Sequence, residues 1–176
     1  MGRSYGETPS GPAWTSGGKP LPYVPNSIPV AFAVRHAWDT LVGKPVKQTQ
    51  LFIQDLKDFG DTARIEIPVE RIRGPVLLLS GKDDQIWPSS FMATRIVERL
   101  RRNQHPYRDE YLSYDGVGHW IPNGCLPTNG SRQGMKLAIG GTPEATTLAQ
   151  ADSWPKILRF LIGASVEQKR YAERGT

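Results

Sequence analysis

The chain has 176 residues, a net charge of +5 from 22 Lys and Arg against 17 Asp and Glu, one Cys, 38% hydrophobic residues and 9% aromatics. That is one domain's length with apolar content for a core, which excludes a wholly disordered chain, and a lone Cys closes no internal disulfide. The longest apolar run, Val76 to Leu79, falls far short of the ~20 residues of a membrane span, and Met1 to Gly6 lacks the apolar stretch of a secretory leader.

A soluble, cytoplasmic protein is therefore expected, in three parts: a Pro- and Gly-rich segment over 1–45, a folded body over 46–163 and a polar tail over 164–176. The first 45 residues hold seven prolines, which fix backbone angles and remove donors. Within them Pro29 to Val42 can hold a short helix through Val30, Phe32, Ala33, Val34, Ala37, Trp38 and Leu41. Val46 to Phe59 suits a second helix, with Leu51, Phe52, Ile53, Leu56 and Phe59 as its apolar positions and Gly60 as its stop.

From Ile67 the order becomes strand, helix, strand, helix. Val76-Leu77-Leu78-Leu79-Ser80, ending at Gly81, reads as a strand buried on both faces, as in a parallel sheet. Pro88 sits near the first turn of a helix in which Met92, Ile96 and Leu100 recur every four residues beside Ala93 and Val97. Its Arg95, Arg99, Arg101 and Arg102 lack the interleaved aromatics of a phosphate-tracking groove, so they read as a solvated face and no nucleic-acid partner is expected. Arg108 to Tyr114 is a second strand, which completes a parallel, right-handed βαβ unit and places the chain in the α/β class. A loop over 115–141 follows, then a helix from Thr142 to Ile162 in which Pro155 predicts a kink or a break, and the tail beyond it is expected to fray.

Chemistry gathers at the carboxyl ends of the two strands. Asp83-Asp84 follows the first, and Gly116-Val117-Gly118-His119 follows the second. In open α/β sheets the functional crevice lies outside those ends. A carboxylate there can accept the proton of one imidazole nitrogen and leave the other free to take a proton from a nucleophile. Asp84 and His119 are the candidate acid and base, with Asp83 a lesser alternative, and Asp84 could equally be a turn or N-cap residue ahead of Pro88. His36 and His105 have no patterned partners and read as surface or turn residues. Trp14, Tyr23, Trp38 and Trp154 read as core or lid packing. No Cys/His cluster has metal spacing and no Gly-rich loop cradles a phosphate, so no metal or cofactor is expected.

Residues 67–90, Leu112-Ser-Tyr-Asp-Gly-Val-Gly-His119, Gly140-Gly-Thr-Pro-Glu-Ala145 and Asp152-Ser-Trp-Pro-Lys-Ile-Leu-Arg-Phe-Leu161 resemble the C-terminal domain of the acyl-CoA thioester hydrolase and bile-acid-CoA:amino-acid N-acyltransferase family. Ala13 to Pro25 resembles the segment after that family's nucleophile region. The resemblance implies the C-terminal portion of an α/β-hydrolase acting on fatty acyl-CoA thioesters, with Asp84 and His119 as the acid and base of a Ser/Cys-His-Asp triad. It also implies that the nucleophile and the oxyanion donors belong to a region upstream of the Ala13 segment. This chain alone is then expected to be inactive, and either weakly stable or self-associated through an open sheet edge.

Gly2-Arg3-Ser4-Tyr5-Gly6 matches G-x-S-x-G in letters but lacks the flanking strand and helix that strain such an elbow, and Cys125 follows the acid in chain order, so neither is read as the nucleophile. Two alternatives stand beside the thioesterase-like reading. One is a non-catalytic remnant or interaction module with the half-fold; the other is a different α/β-hydrolase, such as a dienelactone-hydrolase or prolyl-oligopeptidase relative.

Overall fold

The computed structural model describes residues 15–25, 28–62, 65–121 and 136–174, with side chains as far as 164. Ser4, Trp14 and Cys125 lie outside the described residues. The chain divides into two compact units, Met1–Pro68 with Lys136–Ala138, and Val69–Met135 with Ile139–Thr176.

The first unit opens with a minimal antiparallel hairpin, β1 (Thr15–Ser16) and β2 (Lys19–Pro20), that the reading of the prolines did not foresee. Gly17 and Gly18 both take positive φ, 57° and 75°, the backbone that a two-residue primed turn requires. Helix α1 (Val30–Leu41) forms where expected, but its apolar residues do not make a core: Val30 and Leu41 are each 79% exposed. The buried residue of α1 is Asp39, held by Arg35 one turn earlier at 3.0 Å. Helix α2 (Thr49–Phe59) buries Leu51, Phe52 and Leu56, and Gly60 caps it at φ 73°. Val46 joins this small core, bridging in parallel to Leu137.

The second unit is the βαβ. Strand β3 (Val76–Gly81) pairs in parallel with β4 (Asp109–Tyr114), Val76 opposite Asp109 through Gly81 opposite Tyr114. Helix α3 (Ser89–Arg102) crosses between them and buries Ala93 and Leu100. A 3₁₀ turn over Val69–Arg71 leads into β3, and its Glu70 takes a two-pronged bond from the Arg99 guanidinium at 2.5 and 2.9 Å. Val76 to Leu79 are only half-buried, short of the two-sided burial that their composition predicts, because β4 is the strand that pairs with β3 among the described residues.

Helix α4 runs from Pro143 to Arg174 as one element, past the expected end at Ile162 and through Pro155. Proline costs a helix one donor and strains the preceding turn, which a long, tethered helix can absorb without ending. The Arg108 guanidinium over the Phe160 ring, 5.1 Å from its centre, is one such tether. Trp38 and Trp154, read from sequence as packing residues, are 59% and 42% exposed. No described helix is long and apolar enough to cross a membrane.

Candidate active site

The site grows from the way three backbone segments meet beyond the sheet. After Gly81 the chain turns, with Lys82 N–H donating to the Tyr114 carbonyl and Asp83 N–H to the Val117 carbonyl. The loop after β4 is held in turn by the segment before α4: His119 N–H donates to the Ile139 carbonyl at 2.8 Å, and Thr142 N–H to the Gly116 carbonyl at 3.0 Å. The Asp83 carboxylate accepts the Gly141 N–H at 2.7 Å.

Glycine is what lets these segments touch. A Cβ on Gly118 would overlap the Ile139 and Gly140 carbonyls, and one on Gly140 would overlap the Asp83 carbonyl. Beneath this stack Val117, Ile121 and Ala149 form a buried cluster with Leu79, Tyr114 and Ala145 around it. The loop bearing the histidine thus rests on β3, β4 and α4 together.

Asp84 emerges from the first segment with its side chain 4% exposed. Its two oxygens divide the work. Oδ1 accepts the N–H groups of Ile86 and Trp87 at 3.0 and 2.9 Å, the turn role that the sequence also allowed. Oδ2 faces the imidazole, 2.9 Å from His119 Nδ1, and takes the Ser89 hydroxyl at 2.8 Å. An ionised carboxylate only accepts, so Nδ1 carries the proton, and in the neutral ring Nε2 is then the acceptor. No described residue bonds Nε2, and the ring is 36% exposed. Asp83 does not approach the imidazole in this way; Gly141 and the Gln85 amide occupy its oxygens.

The chain-end tyrosine of β4 braces the same corner. Tyr114 donates to Asp152 of α4 at 2.8 Å, and burial first and the Asp152 carboxylate second push its hydroxyl up to about 12. Asp152 in turn takes Lys156 Nζ at 2.6 Å, and the Lys156 and Tyr114 bonds hold its carboxyl below the usual range.

A second imidazole was misjudged from sequence. His105, read as a surface or turn residue, has a side chain only 1% exposed. Its Nδ1 reaches both oxygens of Asp109 at 3.0 and 2.9 Å, and its Nε2 lies 2.8 Å from the Ile72 carbonyl. The four-residue step from His105 to Asp109 was the signal available, masked by the intervening Pro106 turn. His36 is exposed on α1, its ring 6.3 Å from that of Phe32. Among the described residues no group of three or more His, Cys, Asp or Glu is placed to hold a metal ion.

A parallel βαβ with an Asp–His pair beyond its carboxyl ends defines the class as a partial α/β-hydrolase C-terminal domain. The particular family follows from comparison with known proteins: the family described as BAAT / acyl-CoA thioester hydrolase C terminal matches residues 22–164, and the chain belongs to it. Mouse peroxisomal succinyl-coenzyme A thioesterase is 34% identical over 98 residues, 53% of this chain and 23% of that protein. Rat acyl-coenzyme A amino acid N-acyltransferase 2 is also 34% identical over 98 residues, with the same coverage. Mouse bile acid-CoA:amino acid N-acyltransferase is 28% identical over 142 residues, 72% of this chain and 34% of that protein. The chain therefore spans about a quarter to a third of the length of these relatives.

Proposed function

We propose that this chain supplies the acid and the base for cleavage of acyl-CoA thioesters. The observation that carries the reading is the Asp84 Oδ2 to His119 Nδ1 contact at 2.9 Å, beyond the strand ends, with the His119 side chain 36% exposed. The names of the relatives divide between thioesterases and amino acid N-acyltransferases, whose shared substrate class is an acyl-CoA. The proposal is accordingly acyl transfer from CoA, to water or to an amine.

In this scheme Asp84 holds the Nδ1 proton and fixes the tautomer, so that Nε2 can take the proton of a nucleophile as it attacks the thioester carbon. The acyl group passes to the nucleophile, CoA leaves as the thiol with the proton from His119, and Nε2 then deprotonates the acceptor that releases the acyl group. The nucleophile is assigned to no residue of this chain, so the chain by itself is expected to release no thiol from palmitoyl-CoA above the no-protein rate.

The decisive experiment joins residues 22–164 in frame to the N-terminal portion of human acyl-coenzyme A thioesterase 6, which is 33% identical over the matched stretch, and measures thiol release. A folded chimera that turns over, and loses on the order of 10⁴-fold or more in kcat with Asp84→Asn and with His119→Ala, supports the reading. A folded chimera with no turnover speaks for the non-catalytic half-fold instead.

A further inference from the structure

The turn that carries the acid holds one hydroxyl for which the proposed chemistry has no use. Ser89, the first residue of α3, donates to Asp84 Oδ2 at 2.8 Å, the oxygen that also accepts from His119 Nδ1 at 2.9 Å. The next acceptor within its reach, the Gly81 carbonyl, is 3.5 Å away, so the single hydroxyl proton goes to the carboxylate. Its neighbour Ser90 is committed elsewhere, 3.1 Å from the Gly81 carbonyl and 2.9 Å from Ser80 Oγ.

We propose that Ser89 is a positioning residue that acts through Asp84, sharing Oδ2 with the imidazole and so limiting how tightly the carboxylate holds the His119 proton. The inference rests on the reading of Asp84 and His119 as acid and base. Because Oδ1 is already fixed by the Ile86 and Trp87 N–H groups, the carboxylate keeps its orientation without Ser89. What the hydroxyl changes is charge. A donor on Oδ2 draws negative charge away from the imidazole; without it, the same oxygen stabilises the imidazolium more strongly, and the base is lost to protonation at a higher pH. A general base works best near the operating pH, which makes this adjustment functional. The other charged groups of these loops are engaged away from the pair, Asp83 with Gly141 and Gln85, and Lys82 with Asp115 at 2.8 Å.

The test is an NMR titration of the His119 ring in the full chain, in wild type and in Ser89→Ala, Ser89→Cys, Ser89→Thr and Asp84→Asn. Ser89→Ala should raise the titration midpoint by about half a unit, a threefold gain in proton affinity. Ser89→Cys, a near-isostere with a weak donor, should give a smaller rise and is the fallback if the alanine variant does not fold. Ser89→Thr, which keeps the hydroxyl, should titrate as wild type does. A midpoint that is unmoved or lowered in folded Ser89→Ala or Ser89→Cys overturns the inference. Asp84→Asn separates the two levels: if it too leaves His119 unmoved, the acid–base pair itself is wrong, whereas a shift there with none in the Ser89 variants rejects Ser89 alone.

Discussion

The βαβ unit holds an Asp–His pair at each end, and the two are built to opposite purposes. At the carboxyl ends of β3 and β4, His119 gives one nitrogen to Asp84, and no described residue bonds the other. At the amino ends, His105 sets both nitrogens against acceptors, Asp109 and the Ile72 carbonyl, with its side chain 1% exposed. A neutral imidazole has one donor and one acceptor, so two facing acceptors favour the doubly protonated cation. Burial alone would lower the affinity of His105 for a proton, but the Ile72 carbonyl and the Asp109 carboxylate together raise it. The lesson is that an Asp–His contact does not by itself mark a site. The two pairs differ at the second nitrogen, which no described residue bonds in His119 and which in His105 is spent on holding Ile72 to β4.

The frames of the two ends differ as well. The carboxyl end is built by main-chain contact, the amino end by side chains. Gly140→Ala places a methyl group on the Asp83 carbonyl at a φ of 73°, and should destabilise the chain by about 3 kcal/mol or more while scattering the His119 resonances. Urea unfolding and the His ring spectrum would show it, with His105 the less affected of the two.

Next in size is the contrast between the imidazoles. His105→Ala removes the side chain that links the Ile72 carbonyl to the Asp109 carboxylate, leaving Asp109 the Val76 N–H, and should cost about 2–4 kcal/mol, whereas His119→Ala, at a ring 36% exposed, should stay within about 1 kcal/mol. Equal losses in denaturant unfolding would mean that the two imidazoles are equally structural.

Two smaller effects are read by pH. The folded chain holds the His105 proton more tightly than the unfolded chain, whose value is 6.5, so the contribution is complete below that pH and is lost as pH rises through the higher folded value. Stability measured upward from pH 6.5 should therefore fall, and the fall should be shallower in His105→Ala. Glu70 runs the other way. The Arg99 hydrogen bonds first, and its charge with that of Arg71 less strongly, hold its carboxyl down at about 2 against an ordinary 4.5. Its contribution is present above 4.5 and fades as pH drops toward 2, so Glu70→Gln should flatten that acid limb.

Much of the second unit was legible in sequence because hydrophobic period and punctuation agree there. The run Val76 to Leu79, the fourfold spacing of Met92, Ile96 and Leu100, and Gly81 and Pro88 at the boundaries fix strand and helix to within a residue or two. Parallel pairing was enough to bring the Asp83-Asp84 turn and the His119 loop to one edge of the sheet, but not to choose between the two carboxylates. The hairpin at Gly17 and Gly18 was hidden because its two-residue strands are polar and too short to show alternation. The apolar spacing of α1 gave the helix but not the exposure of Val30, Val34, Trp38 and Leu41, since periodicity names an apolar face without saying what covers it. The role of Gly140 and Gly141, matched in sequence only as a motif, depends on a segment 58 residues beyond Asp83 and has no local signature.

The stacking of the Asp83, Gly118 and Gly140 backbones also bears on how this corner can change over time. Contacts made by peptide groups are indifferent to the side chains around them, provided that glycine stays where the segments cross. The surrounding side chains can therefore change without pulling Asp84 and His119 apart. The crossing glycines behave as the hinge pins of the arrangement: small, silent in chemistry, and the residues whose loss no neighbouring substitution could repair.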